Sequence, residues 1–164
     1  VARLAALLAL LLFAPLASAG SLDGVVVRVV DGDTIHVRVG DRVEKVRYIG
    51  VNTPEVHHPR KGEEPGGRQA LAVNRTLVER RTVRLETDVQ SRDRYGRLLA
   101  YVWVGDVMVN AELLRRGYAQ VMTVPPNVRH QDLFVKLQRD ARESERGLWR
   151  RPENGAAAPR STPR

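Results

Sequence analysis

Three short segments bring together residue types that could act on an anion. In Asp31-Gly32-Asp33-Thr34 the glycine permits a tight turn between strands, and the flanking carboxylates can project from one end of a barrel. In the run from Val46 to Glu55, Arg47 interrupts an apolar strand that ends in the amide- and carboxylate-rich turn Asn52-Thr53-Pro54-Glu55. A guanidinium there is costly unless it reaches outward or is paired. It either points to solvent from an alternating strand or faces a groove where an anion sits. In Asp93-Arg94-Tyr95-Gly96-Arg97 a charged turn delivers Arg97 onto the start of a strand. Taken singly, the first and third segments read more readily as polar hairpins with solvated charges.

The elements that would position these residues are mostly strands. From 23 to 51, valine alternates with polar residues and is broken at Asp31-Gly32-Asp33 and at Gly40-Asp41, which predicts three antiparallel strands. A polar loop follows from 53 to 67, and Ala70, Val73 and Leu77 then share one helical face. Further strands are expected over 82–87 and 98–104, with an extended stretch over 119–124. Asn110 is expected to cap a short helix reaching Arg116, with Gly117 at its end. A last helix is expected from about 128 to 145, its apolar stripe being Leu133, Phe134, Leu137 and Ala141. This order predicts a mainly β, α+β domain: a five-stranded Greek-key barrel of the oligonucleotide-binding (OB) type with about three helices. There is no internal repeat and no dinucleotide or P-loop glycine pattern.

At 164 residues the chain has room for one domain. Its formal charge of +8 favours polyanionic partners: nucleic acid, anionic membrane or acidic polysaccharide. The absence of cysteine excludes disulfide frameworks, zinc-thiolate sites and thiol nucleophiles. Residues 1–19 read as a secretory signal: Arg3, an apolar run from Leu4 to Phe13, then Ala17-Ser18-Ala19 for cleavage. The run is shorter than a bilayer span, so no stable membrane anchor is expected, and the mature chain should act in the periplasm or outside the cell. The expected division is a signal at 1–19, a domain at 22–150 and a Pro/Ala/Arg tail at 152–164.

Together the motifs resemble the staphylococcal nuclease (thermonuclease) family. The likeness runs from about 24 to 149 in the family's order and spacing. It includes Asp31-Gly32-Asp33-Thr34, the run from Arg47 to Glu55, the loop His58-Pro59-Arg60-Lys61-Gly62, and Asp93 through Val102. It closes with Leu113-Leu114-Arg115-Arg116-Gly117-Tyr118-Ala119 and Trp149.

The resemblance implies a calcium-dependent endonuclease that cleaves DNA and RNA, favours single strands and leaves 3′-phosphate ends. It implies that Asp33, Asn52 and the backbone carbonyl of Thr53 hold the cation, that Arg47 and Arg97 grip the scissile phosphate, and that Glu55 orients or deprotonates water. Phosphodiester hydrolysis gathers negative charge on a five-coordinate phosphorus, which a hard cation and bidentate, permanently charged guanidiniums suit. Lys61, Arg94 and Tyr95 form the patch expected to bind flanking substrate. Two departures are visible. Asn52 stands where the best-known member has aspartate, removing one negative charge, and Thr123 and Pro125 stand where the family has base-flanking tyrosines.

Other histidines carry less. His57 and His58 are adjacent and point opposite ways in extended chain, with no third ligand suitably spaced; His36 and His130 belong to no constellation. Trp149 is expected to pack the last helix onto the domain. The alternative function is a catalytically silent nucleic-acid-binding barrel, which would not need Asp33, Arg47, Glu55 and Arg97 together. A cationic envelope protein would explain the charge but none of the motifs. A monomer is expected.

Overall fold

A computed structural model describes residues 20–56 and 62–151. The expected signal at 1–19, the expected tail at 152–164, and His57, His58 and Lys61 lie outside the described residues.

The valine-rich N-terminal half forms a meander: β1 (Ser21–Val29), β2 (Thr34–Val39) and β3 (Arg42–Tyr48). β1 also pairs antiparallel with β5 (Thr82–Glu86), and β5 pairs antiparallel with β6 (Leu98–Val104). A parallel pairing of β3 with β6 closes the ring, giving a five-stranded barrel of the expected OB type. Closure removes the open edges that a five-stranded sheet would otherwise expose. Two short strands, β4 (Val51–Asn52) and β8 (Gln120–Val121), pair beside it, and β7 (Val107–Met108) extends β6 as a hairpin.

Alternation puts Val26, Val29, Ile35, Val37, Val46, Tyr48 and Leu85 inside. A bulge between Val26 and Arg28 leaves Val27 and Arg28 both exposed and restores the inward position of Val29. Three helices cover the barrel: α1 (Gly67–Val78), α2 (Val109–Arg115) and α3 (Gln131–Glu143). Phe134 of α3 packs onto Gly50, where a Cβ would lie 2.6 Å from the ring and φ is +78°. Burying that ring contributes roughly 1.5–3 kcal/mol.

Local expectations differ from the structure at several points. Asn110 does not cap α2. It is fully buried inside the helix, accepts from the N–H of Val102 at 2.9 Å and donates to the carbonyl of Ile49 at 2.9 Å, tying α2 to the barrel. A sequence pattern cannot distinguish a cap from such a buried strut, because both use the same side chain near a helix start. The last helix begins at Gln131, after a turn closed by its N–H on the carbonyl of Val128, and Leu133 is exposed while Phe134, Leu137 and Ala141 are buried. Within the extended stretch expected over 119–124, Gln120 and Val121 pair as β8 and Val124 bridges to Asn127. Trp149 lies in a single 3-10 turn, Gly147–Trp149, beneath the Arg142 guanidinium, 4.1 Å from the ring centroid. Among the described residues no helix is long and apolar enough to cross a membrane.

Candidate active site

The turn between β1 and β2 fixes the first carboxylate. Asp33 is 5% exposed; its Oδ2 accepts from the backbone N–H of Thr53 at 2.8 Å and its Oδ1 from the Thr34 hydroxyl at 3.1 Å. Asp31 Oδ1 accepts from the Asp33 N–H at 3.1 Å. Burial, and then the neighbouring Asp33 carboxylate, push the Asp31 carboxyl up to about 6. Gly32 makes this approach sterically possible, since a Cβ there would lie 2.6 Å from Thr53 Oγ1 and 2.8 Å from Ala70 Cβ. From below, Asn74 of α1 donates to the Asp31 carbonyl at 2.9 Å and accepts from the Tyr48 hydroxyl at 2.9 Å.

Arg47 points outward by strand alternation, yet it is only 8% exposed because the segment 48–53 folds over it. Nη1 donates to the carbonyls of Tyr48 and Val51, each at 2.8 Å. Nη2 donates to Asn52 Oδ1 at 3.0 Å and lies 3.2 Å from Asp33 Oδ2. Arg47 lines the cleft, and both of its terminal nitrogens are also paired with the surrounding chain.

Arg97 is held differently. Asp93 Oδ1 accepts from the N–H groups of Tyr95 at 2.9 Å and Arg97 at 3.0 Å, and Asp93 Oδ2 accepts from Arg97 Nε at 2.8 Å. Burial alone would raise the Asp93 carboxyl, but the Arg97 side chain and these backbone donors outweigh it and hold it below the usual carboxylate range. Because only Nε is engaged, the terminal nitrogens of Arg97 have no hydrogen-bond partner among the described residues. The Tyr95 ring, 68% exposed, lies under the Arg94 guanidinium at 4.7 Å and near that of Arg97 at 5.6 Å.

These pieces share one cleft of about 580 Å3, lined by Arg47, Asn52, Glu55, Arg94, Tyr95 and Arg97 among others. Asp33 and Thr53 adjoin it through their bonds to Arg47 and to one another. Eight of the nine sequence-derived site residues are thus brought together, and Lys61 lies outside the described residues. Two residues that the sequence placed in these turns without a separate role support the site: Asp93, which aims Arg97, and Asp31, in the same turn as Asp33. Sequence reasoning missed the wall opposite, where Met122 and Val124, both exposed, present an apolar surface beside Gln90 and Asn127.

The donor set around Asp33 suits a hard cation. It consists of oxygen atoms from Asp31, Asp33, Asn52 and Thr53, and Thr53 Oγ1 is buried without a partner. Among the described residues no group of three His, Cys, Asp or Glu side chains could hold a metal, so a cation here would rely on amide or backbone oxygens beside its carboxylates.

Fold and cleft define a small barrel protein with an arginine-walled, carboxylate-floored site. Residues 45–151 match the family described as Staphylococcal nuclease homologue. A thermonuclease of Staphylococcus intermedius is 40% identical over 124 residues, covering 76% of this chain and 74% of that protein. A thermonuclease of Staphylococcus hyicus is 39% identical over 124 residues, covering 76% and 73%. The SPbeta prophage-derived endonuclease YokF of Bacillus subtilis is 40% identical over 124 residues, covering 74% of this chain and 42% of its own length. The chain belongs to the staphylococcal nuclease family.

Proposed function

We propose that this member of the nuclease family is a secreted, calcium-dependent endonuclease that hydrolyses the phosphodiester bonds of DNA and RNA to 3′-phosphate ends. The observation that carries the reading is the shared cleft of Arg47, Glu55 and Arg97, with Asp33 bonded to Arg47 at its edge. Guanidiniums match two phosphate oxygens and stay charged at any working pH.

Arg47 and Arg97 hold the scissile phosphate and stabilise the charge that grows on its equatorial oxygens. Glu55 orients a water and takes up its proton as the water oxygen attacks phosphorus. The bond to the 5′-oxygen of the following nucleotide breaks, that oxygen acquires a proton from water in the open cleft, and the phosphate stays on the 3′ side. Asp33, Asn52 and the Thr53 carbonyl would hold a calcium ion, which when bound polarises a phosphoryl oxygen. Arg94 and Tyr95, with Lys61, bind flanking nucleotides. An open cleft with one exposed tyrosine and an apolar Met122–Val124 wall suits a single strand whose bases are free to turn inward. The expected signal at 1–19 supports action outside the cytoplasm, by a monomer.

The test is incubation of the purified mature protein with single-stranded DNA, with calcium in one arm and chelator in the other. Cleavage in calcium that stops on chelation supports the reading. Binding without cleavage under several divalent ions overturns it in favour of a silent barrel.

A further inference from the structure

Outside the cleft, the outer face of β1, β2 and β3 carries a row of basic residues. Cross-strand register places Arg28 opposite His36 and His36 opposite Lys45, so three basic residues stand in one row on that face. One row further from the cleft, Val25 lies opposite Arg38 and Arg38 opposite Val43. Arg28, Arg38 and Lys45 are exposed, and among the described residues none of the three has a carboxylate partner. Neither acid of β1–β3 pairs with the row. Glu44 lies on the opposite face of β3, clamped by Arg92 at 2.9 and 3.0 Å, and Asp23 lies beyond Val25, opposite Arg84.

The row joins the cleft directly. Lys45 precedes Arg47 by two residues on β3, so both side chains leave the same face of the strand, about 6.6 Å apart along it. We propose that this face is a second nucleic-acid surface, on which Lys45, His36 and Arg28, and then Arg38, hold the phosphate backbone of a single strand running out of the cleft past Arg47. The proposal rests on the nuclease reading for its substrate and extends the path of that substrate.

Two physical features favour a bound polyanion over a merely solvated surface. Arg28 and Lys45 flank His36 from the two neighbouring strands, so their positive charges, without carboxylate partners among the described residues, repel one another across the row. An anion lying over the row offsets that repulsion. The His36 imidazole reports the same field: burial, then Arg28 and Lys45, hold it below its ordinary value. Val25 and Val43, 45% and 52% exposed, flank Arg38 with apolar surface that sugars or bases can cover.

The experiment compares wild type with an Arg28→Ala/Lys45→Ala double variant in two assays. In the first, fluorescence anisotropy in chelator follows binding of a single strand of about 16 nucleotides across a range of salt. In the second, cleavage of a dinucleotide in calcium reads the cleft alone. The proposal expects about tenfold weaker binding of the long strand, a salt slope shallower by about 1.4 from two lost phosphate contacts, and unchanged dinucleotide cleavage. Unchanged long-strand affinity and salt slope would overturn the proposal. So would an equal loss on the dinucleotide, since the face would then act through the cleft. If wild type cleaves neither the dinucleotide nor, with calcium added, the long strand, the nuclease reading fails while the anisotropy comparison still decides whether the face binds.

Discussion

The guanidinium of Arg47 and the carboxylate of Asp33 lie 3.2 Å apart, each under 10% exposed, at the mouth of a barrel that brings them together from two different strand ends. Arg47 also satisfies the carbonyls of Tyr48 and Val51. The residue proposed to grip phosphate therefore also ties the 48–53 segment to β3. Arg97, by contrast, commits only Nε to Asp93. The two arginines line one cleft with unequal structural duties.

Removing Arg47 should harm the fold as well as the chemistry. Arg47→Ala leaves the Asp33 carboxylate and two carbonyls without this partner, and breaking a buried pair costs about 3–5 kcal/mol. Urea denaturation of the variant should show a loss of that size. A loss below about 1 kcal/mol would mean that water replaces the guanidinium freely.

Asn52 should limit cation affinity. Its amide oxygen supplies a ligand without charge, and calcium affinity rises with the charge count of the ligands. Asn52→Asp is expected to tighten calcium binding in titration calorimetry, aided by Arg47 Nη2 at 3.0 Å from the present Oδ1, which would offset part of the added carboxylate repulsion. Equal or weaker binding would contradict the placement of the cation.

His130 should titrate low. Its ring meets Tyr101 edge-on at 4.5 Å, its Nε2 is buried without a partner, and burial, with Arg129, outweighs Glu86 and Asp88 to hold it below 6.5. With the folded value below the unfolded one, its contribution to stability is complete above about pH 6.5 and is lost as pH falls through the folded value. An NMR titration of the His130 ring should give a midpoint below 6.5, and His130→Gln should flatten the fall of the urea midpoint on acidification. A midpoint at or above 6.5 would contradict the half-buried packing of the ring against Tyr101.

Much of this was legible in the sequence, and for a physical reason. Valine alternation and Asp-Gly breaks specify strands locally, and the motif set carried the barrel and the cleft residues with it. What stayed hidden depends on long-range packing. Asn110 looks like a cap because its partners, Val102 and Ile49, are remote in the chain or masked by strand pairing. The double nature of Arg47 arises because residues 48–53 fold back over an outward-facing position, which period-two patterning does not encode. Asp93 read as an ordinary turn acid, although its two oxygens collect three donors and aim Arg97.

The convergence of the two arginines on one phosphate is tested most directly at Arg97, whose side chain is 32% exposed and whose removal spares the buried network. Arg97→Ala should keep its circular dichroism spectrum, lose less than about 1 kcal/mol of stability, and turn over single-stranded DNA in calcium about a hundredfold more slowly. A folded variant that cleaves within a few-fold of wild type would contradict the account.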